Sequence, residues 1–136
     1  MGRKLITMKL EHVAINVENS VAMAEWYVKN CEMKVVLQVE GPPFTRFLAD
    51  ADGRTAIEIY SNPAASVPDY ARQNPLIYHH AFTVDDPDGV KDRLMQAGAT
   101  FVEEVNLDTG ARLVMLRDPW GIPLQLVNRP KTQIWY

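Results

Sequence analysis

The sequence has few of the features that mark membrane, nucleic-acid-binding or disulfide-bonded proteins. Its 136 residues include one cysteine, Cys31, which cannot form an intrachain disulfide. No apolar run reaches the roughly 18 residues that a membrane-spanning helix needs, and no signal-like segment opens the chain. The 14 basic residues are outnumbered by 17 acidic ones and form no cluster, so nucleic acid and anionic lipid are not expected partners. These absences predict a cytoplasmic protein that acts on a small molecule.

The composition is that of an ordinary globular domain. Apolar residues make up 47% of the chain and charged residues 23%, which suffices for one core without disulfide or metal staples. We expect a single domain over 8–128 and a C-terminal tail over 129–136. The tail ends in Trp135 and Tyr136, which we expect to pack on a sheet edge or on a partner subunit.

An internal repeat is the main signal in the sequence. Residues 12–17 (His-Val-Ala-Ile-Asn-Val) return 67 positions later as residues 79–84 (His-His-Ala-Phe-Thr-Val). The same offset places Gln125 on Glu58, so one shift aligns two histidines and two oxygen-bearing side chains. A self-match at a fixed period indicates that each copy is one structural unit.

Each copy has the pattern of a strand, a helix and three further strands. In the first copy, apolar and polar residues alternate over 9–17, and Asn19 or Ser20 is a good N-cap for a helix ending near Cys31. Further strands are predicted at 35–39, 44–49 and 56–60. The second copy gives strands at 77–84, 101–105, 112–117 and 124–128, with a helix over 87–97. Segment 61–76 contains three prolines and predicts a connection, which leaves modules at about 8–60 and 77–128.

The polar side chains within these strands are candidate metal ligands. One helix can cover only one face of its sheet, so the other face must be buried by the twin unit or be lined by polar groups. If the units curl about a pseudo-twofold axis, one face collects His12, Glu58, His79 and Gln125, whose imidazole and oxygen donors suit a divalent metal ion. His80 falls on the opposite face, and we expect it to be structural. A salt bridge for Glu58 and a backbone hydrogen bond for Gln125 are the structural alternatives.

These features resemble the vicinal oxygen chelate superfamily, which includes glyoxalase I, methylmalonyl-CoA epimerase, extradiol dioxygenases and bleomycin-binding proteins. The similarity rests on residues 11–17, on the restart at 79–85, and on the Asp-Pro-Trp-Gly turn at 118–121 with Gln125 four residues after its glycine. It implies an α+β fold in which two tandem βαβββ modules form a curved mixed sheet around a central cup. It also implies a homodimer and one divalent metal ion (Ni, Zn, Co, Mn or Fe) held at His12, Glu58, His79 and Gln125.

The resemblance implies more than one function. The leading expectation is a metal-dependent enzyme of glyoxalase I or epimerase type that stabilises an enediolate or enolate. Gln125 stands where a second carboxylate is commonest, so either Glu58 is both ligand and catalytic base or another group acts as the base. The alternatives are an extradiol-type dioxygenase using Fe(II) or Mn and a metal-free ligand-binding protein. Four side chains are candidates for lining the cup and binding substrate: Asn16, Arg46, Tyr60 and Arg112. An arginine there could hold an anionic substrate through paired hydrogen bonds, although solvated arginines on edge strands are the alternative.

Overall fold

The computed structural model describes residues 7–54 and 56–136 and shows two successive βαβββ units. The first contains β1 His12–Asn16, α1 Ser20–Asn30, β2 Lys34–Gln38, β3 Arg46–Ala49 and β4 Ala56–Tyr60. The second contains β5 His80–Thr83, α2 Pro87–Gln96, β6 Thr100–Asn106, β7 Arg112–Arg117 and β8 Pro123–Asn128. Short 3₁₀ helices lie at Tyr70–Arg72 and Lys131–Gln133. The predicted α+β class with tandem modules is therefore confirmed.

Both sheets are mixed and have the same topology. Their strand orders are β1-β4-β3-β2 and β5-β8-β7-β6. The pairs β1/β4 and β5/β8 are parallel, and the other neighbours are antiparallel. Among the described residues, no helix is long and apolar enough to cross a membrane.

The start of each helix follows from its sequence. Asn19 caps α1, and its side chain accepts a hydrogen bond from the Ala22 N–H. Asp86 caps α2 by accepting from the Gly89 N–H, and Pro87 occupies the first turn, where its missing N–H costs nothing. Both helices begin where the sequence predicted.

Three predicted strands were too long at their starts, since those predicted over 9–17, 44–49 and 77–84 begin at His12, Arg46 and His80. We expected a strand over 77–84, but β5 begins at His80. Asn74 holds the preceding residues in a turn, because its side-chain oxygen accepts from the Leu76 N–H and its carbonyl from the Ile77 N–H. An asparagine that bonds the backbone two residues on favours a turn over an extended strand.

The repeat does not keep one offset throughout. The register aligns Ala14 with Glu58 and Ala81 with Gln125, which preserves the 67-residue shift in the parallel pairs. In β2 and β6, however, a bulge falls between Val35 and Leu37 and between Phe101 and Glu103. Val102 therefore corresponds to Val36, not to Val35 as a uniform shift would require.

The connection between the units is held at both ends. The chain divides between Pro68 and Asp69, within segment 61–76. On the first unit's side, the Asn16 amide donates to the carbonyls of Asn62 and Ala65. On the second unit's side, Arg117 donates to the carbonyls of 70, 73 and 121. Each half of the connection thus belongs to its own unit.

The C-terminal tail follows the second sheet's edge. Tyr136 donates a hydrogen bond of 2.8 Å to the Thr83 hydroxyl on edge strand β5. Arg129 lies over the Trp135 ring at 5.8 Å. The expected packing on a sheet edge is found for Tyr136.

Gly98 follows the C-cap of α2 and has a left-handed backbone conformation. Gly98 has φ +107°, and a Cβ there would lie 3.3 Å from Pro119 Cγ. We expect Gly98→Ala to lower the free energy of unfolding by about 1–2 kcal/mol, because a side chain in the left-handed region carries a steric cost. Urea denaturation measures the change.

Gly41→Ala is the matched control for that substitution. Gly41 does not have a left-handed φ, and no neighbouring heavy atom lies within 4 Å of its Cβ position. We expect this variant to be neutral or stabilised by about 0.4–1 kcal/mol, since alanine restricts the unfolded chain. Equal losses in the two variants would contradict the role assigned to the Gly98 backbone.

Candidate metal site

The first unit brings His12 and Glu58 together on the face of its sheet opposite Ile15 and Ile59. His12 Nε2 lies 3.8 Å from Glu58 Oε1, and the two side chains are 36% and 19% exposed. Metal–nitrogen and metal–oxygen bonds to zinc are about 2.0–2.2 Å long. Both atoms can therefore reach one ion placed between them.

Glu11 sets the chemistry of that pair. Its Oε1 lies 2.8 Å from His12 Nδ1. Because a carboxylate accepts hydrogen bonds, Nδ1 donates, and the neutral ring then presents a lone pair at Nε2. That lone pair faces the Glu58 carboxylate, and a metal ion placed between the two acceptor atoms would bind both. The donor set therefore fits a metal.

The second unit carries His79 and Gln125 at the matching positions. His79 is exposed and directly precedes β5, and its Nδ1 donates to the Pro75 carbonyl at 2.9 Å. Nε2 is therefore the nitrogen that His79, like His12, can offer to a metal ion. Gln125 is half-buried beside Ala81 and Met115. Within residues 7–54 and 56–136, no group of three or more His, Cys, Asp or Glu side chains forms a metal cluster.

His80 lies on the other face of the sheet from Gln125 and has a shifted pKa. Its register partner is Leu124, on the face opposite Gln125, and its Nδ1 lies 3.2 Å from the Tyr78 hydroxyl. Burial, and then the nearby His79, lower the pKa of His80 to about 4. Burial is also the main cause that raises the pKa of Tyr78 to about 12. Both groups are neutral at pH 7, as expected for a structural pair.

The two candidate arginines are engaged in protein contacts. Arg112 donates to Asp88, Glu104 and Asn106. Its hydrogen bond holds the pKa of the Asp88 carboxyl below the usual value, so the pair is ionic at neutral pH. Arg46 is buried, and its Nη1 donates to the Val39 and Thr45 carbonyls.

The register adds a second difference for Arg46. It lies opposite Ile59, on the face turned away from Glu58, because paired residues share a face and successive residues alternate. The strand register therefore places Arg46 on the wrong face of the sheet to contact a substrate bound beside Glu58. The contacts of both arginines favour structural roles.

The remaining candidates lie on the same face as His12. Asn16 is aligned with Tyr60 and shares a face with His12 by strand alternation. Besides donating to the connection, the Asn16 side-chain oxygen accepts from the Asn62 N–H at 2.8 Å. Asn16 thus positions the backbone after β4, while Tyr60 is half-buried two residues beyond Glu58.

Two residues near His12 were missed from the sequence. Glu11 precedes His12 directly, so a carboxylate next to a candidate ligand was the available signal. Phe47 meets the His12 ring edge-on, with ring centroids 5.3 Å apart. Its place depends on the pairing of β3 with β4, for which the sequence alone gave no register.

Comparison with known proteins agrees with this architecture. The family model of the Glyoxalase/Bleomycin resistance protein/Dioxygenase superfamily matches residues 9–126. A glyoxalase family protein from Enterococcus faecalis is 27% identical, with a TM-score of 0.67 over 88% of this chain and 97% of that one. No curated protein matches the chain.

Two more distant structures share the fold. TnmS3, an antibiotic binding protein from Streptomyces sp. CB03234, is 16% identical, with a TM-score of 0.72 over 93% of this chain and 100% of that one. The oxidase ChaP-H2 is 24% identical, with a TM-score of 0.64 over 92% and 96% of the two chains. At these identities the likeness shows the fold alone. Since the family model spans nearly all of both units, the chain belongs to the glyoxalase/bleomycin resistance protein/dioxygenase superfamily.

Proposed function

We propose that this protein is a metal-dependent enzyme of glyoxalase or epimerase type, acting on a small carbonyl compound. The observation that carries the proposal is the facing pair of His12 Nε2 and Glu58 Oε1, 3.8 Å apart. His79 and Gln125 are the further ligands that the repeat predicts. A divalent ion bound by these residues would supply the positive charge that stabilises negative charge developing on a substrate oxygen.

Glu58 has a second role in this proposal, as the base. The ligand set contains two imidazoles and one amide, so Glu58 is its single carboxylate. A carboxylate is a suitable group to accept a proton from the carbon next to a carbonyl, provided that it lies within hydrogen-bonding reach of that proton. Glu58 is half-buried, and its carboxylate lies beside the His12 ring. Glu58 therefore serves as both ligand and base.

The same donor set supports a second candidate function. Two histidines and one carboxylate are the donors of non-haem Fe(II) oxygenases. A dioxygenase would require iron or manganese and would consume oxygen with a catechol. A metal-free binding protein is the third candidate, and it would retain its ligand after His12 is removed.

A homodimer and a cytoplasmic location remain predictions from the sequence, and light scattering of the purified protein tests the first.

Metal content is the direct test. We expect the protein purified without chelator to hold about one divalent ion per chain. Replacing either His12 or His79 with alanine should weaken metal binding at least about 100-fold, since each removes a direct ligand and even an outer partner is worth 10–100-fold. Elemental analysis identifies the ion, and titration with Ni or Zn measures affinity. Nickel, zinc or cobalt would favour the isomerase or lyase, and iron or manganese the dioxygenase.

His80→Asn provides the matched control, because His80 is adjacent in sequence but faces the other side of the sheet. This variant should retain the metal. The proposal fails if the wild type takes up none of these ions, or if His80→Asn loses metal as fully as His79→Ala does.

Glu11 gives a second test, aimed at the hydrogen bond to His12 Nδ1. Glu11→Gln should weaken metal affinity about 10–100-fold, because an outer carboxylate fixes the tautomer and raises the basicity of the histidine. Glu18→Gln removes another exposed carboxylate and should leave affinity unchanged. Similar losses in both variants would show a general charge effect instead of a role for the Glu11–His12 bond.

A further inference from the structure

From the side chains next to Glu58, we infer that the substrate carries a flat apolar group beside its metal-binding oxygens. This group lies on Phe47 and Leu37, which we call the apolar shelf. The inference rests on the proposed function, because it places the substrate relative to the His12–Glu58 pair.

The strand register puts the shelf in line with Glu58. Phe47 is aligned with Glu58 across β3 and β4, and Leu37 is aligned with Phe47 across β2 and β3. Directly paired residues share a face, and neighbouring strands lie about 4.8 Å apart. The row from Glu58 to Leu37 therefore extends over roughly 10 Å. That length accommodates a substituted aromatic ring.

The shelf also adjoins the proposed ligands directly. The Phe47 ring meets the His12 ring at 5.3 Å with an interplanar angle of 83°. Phe47 is half-buried, whereas Leu37 is 58% exposed. An aromatic group bound next to the ion would cover both side chains.

The second unit shows that the fold does not require this shelf. In the second unit, Met115 is aligned with Gln125 and so takes the place of Phe47; it is 6% exposed. Glu103 is aligned with Met115 and so takes the place of Leu37. One unit thus has an apolar side chain where its repeat has a carboxylate. Since both units have the same topology and the same bulge, the difference points to a ligand.

The cations near the shelf are held by backbone oxygens. Arg46, the arginine of β3, lies on the opposite face beside Ile59, and its guanidinium donates to the Val39 carbonyl. Lys34 is aligned with Ala49 and so shares the face of Phe47, but its ammonium group donates to the Ala51 carbonyl in the turn after β3. The two side chains that form the shelf are themselves apolar and offer an anion no hydrogen bond.

Two hydroxamates test the inference on the zinc-loaded protein. Acetohydroxamate and benzohydroxamate offer the same pair of chelating oxygens but differ in a methyl against a phenyl group. We expect benzohydroxamate to bind at least about tenfold more tightly, since burying an aromatic ring against apolar side chains is favourable. Isothermal titration calorimetry measures both. Phe47→Ala and Leu37→Ala should each reduce this preference about fivefold. The ratio of the two affinities is the readout, because Phe47 also packs on the His12 ring.

Val36→Ala is the control for Leu37→Ala. Val36 is also 58% exposed, but it is the extra residue of the β2 bulge and has no partner in the β2/β3 register. Its substitution should leave the preference unchanged. A preference that survives both shelf substitutions, or that Val36→Ala reduces equally, overturns the inference.

Phenol separates failure of the shelf from failure of the metal centre. It has no chelating pair, so it should bind the chelator-treated protein weakly and lose that binding in Leu37→Ala, as followed by NMR. If phenol binds but neither hydroxamate does, the proposed metal centre is contradicted and the shelf is not. If acetohydroxamate binds in a metal-dependent way, but benzohydroxamate is not preferred and phenol does not bind, the shelf is contradicted and the metal centre is not.

Discussion

A single helix covers one face of each four-stranded sheet, and the other features of the two units follow from this limit. In the first unit, α1 buries Met23, Ala24 and Tyr27, and the sheet residues Ile15 and Ile59 lie on the face that receives them. The side chains between them in sequence must then point the other way. Glu58 stands between Ile57 and Ile59, so the alternation that builds the core also places a carboxylate outside it.

A carboxylate in that position needs a partner, and His12 is the partner that the parallel pairing of β1 and β4 supplies. The pair does not share a hydrogen bond of its own, because His12 Nδ1 donates its hydrogen bond to Glu11 and the ring then presents a lone pair to Glu58. A cation that joined them would therefore depend on the neighbouring residue, because the bond to Glu11 directs the free nitrogen of the ring toward Glu58.

The sequence predicted the elements well where local chemistry decides them. The strands at 56–60 and 112–117 agree with β4 and β7, and the caps Asn19 and Asp86 mark the helix starts. Alternation of apolar and polar residues also predicted that His12 and Glu58 lie outside the core. It could not give the partner of each strand, since any pairing preserves alternation within a strand.

Features set by pairing or by one turn were accordingly missed. Phe47 reaches His12 through the register of β3 on β4, and Arg46 faces away from Glu58 for the same reason. The late start of β5 depends on the side chain of Asn74, and the matching bulges of β2 and β6 show that the repeat offset there differs by one residue from that of the parallel pairs. The charge partners of Arg112 come from a helix and a neighbouring strand that are distant in sequence. A periodic pattern of apolar and polar residues does not encode any of these contacts.

The exchange of a carboxylate for an amide between the two units bears on chemistry as well as on folding. With two neutral imidazoles, one carboxylate and one amide, the proposed ligand set carries a single negative charge, so a divalent ion would keep a net charge of about +1. A second carboxylate at Gln125 would cancel it. In the proposed enzyme, the remaining charge would strengthen the attraction for a developing oxyanion, and Phe47 and Leu37 beside Glu58 would reduce the screening of that attraction by water. The loss of one base would thus be offset by a more electrophilic centre, and the apolar shelf would belong to the same arrangement.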